Sequence, residues 1–157
     1  MQELFLQAIY KRETMYEELK EEIKLHEGFV PKTYSDSLGK KTIGYGHLCV
    51  EPEQWDDDKE YTKEELELVF EKDFEEALKN AESLIDSRSI NQIAKQVIIE
   101  MVFQLGIGGV GKFKKMWEAL DREDYLLAST EMLDSRWAKQ TPARCGKLSG
   151  KMRSSKL

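Results

Sequence analysis

From Ile90 to Leu105 apolar side chains fall on nearly every side of a helix, through Val97, Ile98, Ile99, Met101, Val102 and Phe103. A helix without a polar face belongs in a core, so the rest of the chain has to enclose it. Ser89-x-x-Gln92 is a start signal for this helix, and Gly106, Gly108 and Gly109 end it. A length of 157 residues allows one compact domain, or two small lobes sharing a helix, and leaves no room for a second full domain.

Helical signals recur on both sides of this segment. Met15, Leu19 and Ile23 form one apolar stripe, and Thr14-x-x-Glu17 reads as a capping box that opens the helix. Residues before Thr14, with Leu6, Ile9 and Tyr10, form a separate helix or fuse with it. Thr62-x-x-Glu65 is a second capping box, followed by an amphipathic stripe through Leu66, Val69, Phe70, Phe74, Ala77, Leu78 and Ile85, a long connecting helix. Shorter helices are expected around Phe113 to Leu120 and Tyr125 to Leu133, and Thr141-Pro142 supplies an N-cap with proline in the first helical position. The basic stretch Lys147 to Lys156 is expected to fray.

Between Gly28 and Glu60 the chain changes character. Thr33-Tyr34 and Thr42-Ile43-Gly44-Tyr45-Gly46 read as short strands flanking the polar turn Ser35-Asp36-Ser37-Leu38-Gly39, and the acidic run 51–60 with Pro52 reads as a solvated loop.

With 34% charged and 40% apolar residues and three prolines, the chain reads as helix-rich, soluble and globular. A net charge of −6 argues against nucleic acid as a partner. Leu4-Phe5-Leu6 is too short for a signal-peptide core or a membrane span. The protein is therefore expected to accumulate in the cytoplasm, with no stable membrane insertion, and to need outside help to reach a cell wall. Cys49 and Cys145 match no metal or redox spacing and are expected as reduced thiols; no metal or cofactor is called for.

Two acids stand in contrasting surroundings. Glu27 lies where a helix gives way to Gly28, and the negative end of the helix dipole disfavours its ionised form, as a general acid requires. Asp36 sits in a polar turn where solvent and backbone donors favour the carboxylate, and the Thr42 hydroxyl stands ready to help hold a water beside it. Period-two geometry points Thr42 and Gly44 to one face, with the glycines letting a sugar approach the backbone. Hydrolysis of a glycosidic bond needs such a pair, one acid to protonate the leaving oxygen and one carboxylate opposite it. Taken singly, Glu27 reads as a solvated helix-end residue and Asp36 as a turn former.

The whole string Glu27-Gly28, Tyr34-Ser35-Asp36, Gly39, Thr42-Ile43-Gly44-Tyr45-Gly46-His47 resembles the phage-type lysozyme family of glycoside hydrolases, the T-even bacteriophage endolysins among them. The likeness continues through Thr62-Lys63-Glu64-Glu65, Phe70 with Asp73, Met101-Val102-Phe103-Gln104-Leu105-Gly106, Ser135-Arg136-Trp137 and Gln140-Thr141-Pro142 with Arg144. It implies an α+β, predominantly helical, two-lobed fold over 1–157. A small hairpin lobe (28–70) and a helical lobe (1–27 and 71–157) are joined by a long helix, with a saccharide cleft between them. It implies Glu27 as general acid, Asp36 and Thr42 as the water-positioning pair, Leu48 and Phe103 as substrate contacts and Arg144 as support beside Glu27. His47 and Asp73 become a structural ion pair rather than metal ligands. The implied activity is that of a monomeric muramidase acting on peptidoglycan glycan strands, released to the wall by a separate pore-forming protein.

The chain also departs from the family pattern. The segments between His47 and Thr62 and between Asp73 and Ser89 are short. Met116 and Glu131 replace small or amide polar residues that touch substrate, a tryptophan near the C-terminus is missing, and the residues before Thr14 have no counterpart. Trp117 and Trp137 read as core, and Trp55 in its acidic loop has no obvious role. A non-catalytic peptidoglycan-binding module of the same fold is one alternative, which the intact Glu27, Asp36 and Thr42 argue against. A helical interaction protein using the segment before Thr14 as its partner site is another.

Overall fold

The computed structural model describes residues 2–155, apart from the side chains of Arg12, Glu13 and Met15. Met15 of the N-terminal stripe and Lys156 of the basic tail therefore lie outside the described residues. The order is α1 (Gln2–Glu27), β1 (Val30–Ser35), β2 (Lys41–Gly44), β3 (His47–Leu48), α2 (Lys63–Ile85), α3 (Gln92–Gly111), α4 (Lys114–Asp121), α5 (Tyr125–Leu133), α6 (Arg136–Gln140) and α7 (Pro142–Arg153). This is the expected α+β, predominantly helical fold of lysozyme type. The chain divides into two compact units, Met1–Phe74 and Glu75–Leu157.

In the first unit the antiparallel sheet runs β1-β2-β3, with Tyr34 opposite Thr42 and Ile43 opposite His47. The third strand is two residues long and carries no sequence signal of its own. α1 falls in the first unit with this sheet and packs against the first turns of α2. Leu19 and Ile23 are buried, and Lys20 and Lys24 reach Glu71 and Glu67 of α2 at 2.9 and 2.7 Å, with the Lys24 ammonium 4.9 Å from the centre of the Phe70 ring.

The two capping boxes have opposite fates. At Thr62 both reciprocal bonds form: Glu65 N–H donates to Thr62 Oγ1 at 3.1 Å, and Thr62 N–H donates to Glu65 Oε2 at 2.8 Å. At Thr14 no helix begins. The segment before it is already helical, so the Thr14 amide has its partner inside the helix, and its hydroxyl turns back to donate to the Tyr10 carbonyl at 2.9 Å. Leu4, Phe5, Leu6 and Tyr10 on this first part of α1 are 62–71% exposed.

In the second unit α3 is the core element, with Val97, Ile98, Ile99 and Met101 at most 1% exposed. Among the described residues it is the one helix long and apolar enough to cross a membrane, but here those four side chains are covered by protein. Its N-cap is Asn91 rather than Ser89: the Asn91 side chain accepts from Ala94 N–H at 2.9 Å. The glycines interrupt α3 without ending it. Gly106 takes φ 80°, ψ 161°, a conformation essentially restricted to glycine, and the helix resumes to Gly111. Trp117 and Trp137 are buried, their Nε1 groups donating to Val110 O at 2.9 Å and Gln104 Oε1 at 3.0 Å. Pro142 opens α7 as expected, although the Thr141 hydroxyl donates to Trp137 O instead of capping it. Cys49 and Cys145 carry free thiols.

Candidate active site

Glu27 is the last residue of α1, and Gly28, at φ 74°, turns the chain away into β1. The Glu27 carboxyl is pressed against the backbone of the turn between β2 and β3. A Cβ built on Gly46 would lie 2.8 Å from Glu27 Oε1, and Gly46 itself takes φ 75°. Gly44, at φ 66°, leaves strand geometry and lies against Leu66 of α2, whose Cδ2 would be 3.4 Å from an added Cβ. The close approaches that these glycines permit are thus to protein side chains, Leu66 and Glu27, and the expectation of a bare glycine floor for a sugar is corrected accordingly.

Asp36 is both turn former and candidate catalyst. Its Oδ1 accepts from Leu38 N–H at 2.9 Å and Lys40 N–H at 2.8 Å, while its own N–H donates to Lys40 O at 2.8 Å. Thr42, 5% exposed, donates its hydroxyl to the same Lys40 carbonyl at 3.0 Å. A single peptide group therefore holds both residues. With the Thr42 proton committed, Thr42 Oγ1 is left as an acceptor, and Asp36 Oδ2 receives no protein donor among the described residues.

Tyr34 stands opposite Thr42 in the β1–β2 register. Its phenol is pushed above its ordinary value by partial burial and by the negative charges of Glu27 and Asp36. Both carboxyl groups thus act on one side chain of the hairpin. The sequence carries Tyr34 as part of the family string but gives it no role of its own, because a tyrosine in a strand is ordinary until its neighbours are known.

His47 lies beside these residues on β3. Its Nδ1 stands 2.7 Å from Asp73 Oδ2 and its Nε2 3.0 Å from Glu53 Oε1, so both ring nitrogens face carboxylates and the imidazolium is the form that satisfies them. The Asp73 bond, opposed by burial and assisted by Glu53, moves the His47 pKa up to about 9. Glu53 is the organiser of the acidic loop. Burial alone would raise its pKa, but bonds from His47, Trp55 Nε1 and Val50 N–H outweigh that and hold it below the usual range. Trp55, without a role in the sequence reading, covers this cluster, 5.8 Å from the His47 ring and 5.0 Å from Tyr61. Leu48, the next residue, is 42% exposed.

The remaining expected residues belong to the second unit. Phe103 is half-buried on α3. Arg144 Nε donates to Glu100 Oε2 at 3.0 Å, and Glu100 is fully buried within the otherwise apolar face of α3. Glu100 escaped the sequence reading, although one charge inside an all-apolar run was the signal that could have found it. Met116 is buried, and it lines, with Phe113, Trp137, Glu131, Lys112 and Arg136, a cavity of about 550 Å³. Among the described residues no group of three or more histidine, cysteine or acidic side chains is placed to hold a metal.

The phage lysozyme family profile matches residues 24–154. Probable T4-type lysozyme 1 of Dictyostelium discoideum is 31% identical over 157 residues, 85% of this chain and 92% of the relative. Probable T4-type lysozyme 2 of the same organism is 28% identical with the same coverage. The pre-baseplate central spike protein Gp5 of Enterobacteria phage T4 is 27% identical over 150 residues, which span 82% of this chain and 26% of the spike protein. Most of α1 precedes the family match, its exposed first part and the buried Leu19 and Ile23 alike. The chain belongs to the phage lysozyme family and is a glycoside hydrolase of the lysozyme type, a muramidase-class peptidoglycan hydrolase.

Proposed function

We propose that this enzyme cleaves the β-1,4 bond between N-acetylmuramic acid and N-acetylglucosamine in bacterial peptidoglycan and so lyses the cell. Glu27 donates its proton to the bridging oxygen, and a water held by Asp36 and Thr42 attacks the anomeric carbon from the other side. The water gives one hydrogen bond to Asp36 Oδ2 and the other to Thr42 Oγ1, which is an acceptor because its own proton goes to Lys40 O. Both water protons are then engaged and a lone pair is left for the sugar. Asp36 takes up the proton released as the new C–O bond forms, and the anomeric carbon inverts.

The observation that supports this reading is the geometry of the hairpin, where Glu27 closes α1 against Gly46 of the β2–β3 turn and the Lys40 carbonyl accepts from both the Asp36 amide and the Thr42 hydroxyl. Leu48 is proposed to contact the glycan from its exposed position on β3. Passage to the wall from the cytoplasm is proposed to depend on a separate pore-forming protein.

Glu27→Gln tests the reading. The variant keeps its fold and loses clearing of permeabilised Gram-negative cells by at least about a hundred-fold, within the usual range for removal of a general acid. Mass spectrometry of the parental digest shows muramic reducing ends. Clearing by the variant at the parental rate overturns the proposed mechanism, and glucosamine reducing ends overturn the bond assignment.

A further inference from the structure

Tyr34 sits opposite Thr42 in the β1–β2 register, and directly opposed residues of an antiparallel pair present their side chains on the same face. Asp36, two residues further on, is joined to Thr42 through the Lys40 peptide. The ring is 37% exposed. Its hydroxyl makes no hydrogen bond to another described residue, whereas those of Tyr45, Tyr61 and Tyr125 are engaged with Glu67, Asp56 N–H and Asn91 N–H. We propose that Tyr34 is a substrate-contacting residue, its phenol O–H donating a hydrogen bond to the pyranose whose anomeric carbon is attacked, between the acid and the water-holding pair.

The surroundings suit this role. Burial and the two neighbouring carboxylates oppose loss of the phenol proton, so the donor persists in the working range of both acids. A pyranose offers hydroxyl and acetamido oxygens as acceptors, and a neutral donor flanked by acids meets them without adding charge to the site. A ring hydroxyl is also held more rigidly than a lysine donor, since the ring leaves fewer side-chain torsions to fix.

The inference rests on the proposed hydrolytic reading of Glu27 and Asp36, and the experiment separates the two. Tyr34→Phe keeps the ring and removes only the hydroxyl. It is expected to retain the parental Tm and the parental pH limbs while kcat/KM on sacculi falls about ten-fold, the loss of one substrate hydrogen bond. Binding is measured by calorimetry with soluble glycan fragments prepared from sacculi, in the Glu27→Gln background so that nothing is cleaved. Addition of Tyr34→Phe to that background weakens binding about ten-fold. Equal affinity in the two backgrounds overturns the proposal, as does a displaced pH limb with unchanged affinity, which would mean that the phenol acts on the acids instead of the sugar. Parental lysis by Glu27→Gln alone would overturn the hydrolytic reading whatever Tyr34 does.

Discussion

His47→Asn removes an imidazolium held between two carboxylates, and its cost can be worked from the pKa. Raising His47 from 6.5 to about 9 corresponds to roughly 3 kcal/mol of preference for the protonated ring in the folded state. The side chain is 13% exposed, so solvent screens little of this, and about 2–3 kcal/mol is expected to survive partial replacement by the asparagine amide. For a chain of this size that is a fall in Tm of roughly 5–10 °C. The sign follows from linkage. The folded state keeps its proton to a higher pH than the unfolded chain, so the contribution is complete below pH 6.5, declines from 6.5 to 9, and is absent above that. On the acid side Glu53, held below its ordinary value, withdraws its share as pH drops below about 4.5. Thermal unfolding of parent and variant from pH 5 to 10 should therefore show a Tm gap that is widest at pH 5–6.5 and closed by pH 10. A gap of constant width across that range would refute the electrostatic account and leave only packing.

Gly46→Ala puts a methyl group where the Glu27 carboxyl now lies and asks alanine to hold φ 75°; activity should fall more than ten-fold, with stability lower by about 1–2 kcal/mol. Gly39→Ala is the control, since its φ of 78° imposes similar strain with nothing within 4 Å of the new methyl; equal loss of activity in the two variants would show that the contact with Glu27 is irrelevant. Deletion of residues 2–13 removes exposed helix and no described core side chain, so lysis and Tm should stay near parental values. A fall of more than about 5 °C would show that this segment is part of the folding unit.

Where a signal was local and its neighbours agreed, the sequence was sufficient. The Thr62 box, the all-apolar α3 and the Thr141-Pro142 start of α7 appear where propensity and patterning put them. The Thr14 box failed because the same four-residue pattern is read differently once a helix already runs through it. Asn91 took the cap from Ser89 because its side chain, two residues later, reaches the amide of Ala94. β3 and α6, of two and five residues, are too short for any period to show. In the candidate site, Glu27, Asp36 and Thr42 could be proposed in advance because their spacing is a family string. Tyr34, Glu53 and Trp55 were given no role, since each draws its significance from side chains that only the folded hairpin and loop bring together, and Glu100, though marked as a lone charge in an apolar run, finds its partner Arg144 44 residues away.

The Lys40 peptide has a consequence of its own. Its amide and carbonyl bind Asp36 and Thr42 together, while its side chain is exposed, so natural drift at position 40 is expected to be wide in chemistry and closed only to proline, the residue without an amide hydrogen. Any breathing of the hairpin tip carries Asp36 and the Thr42 hydroxyl along as one body. The separation on which the proposed water-holding role depends is thus protected from loop motion by a joint that no side-chain survey of the sequence would reveal.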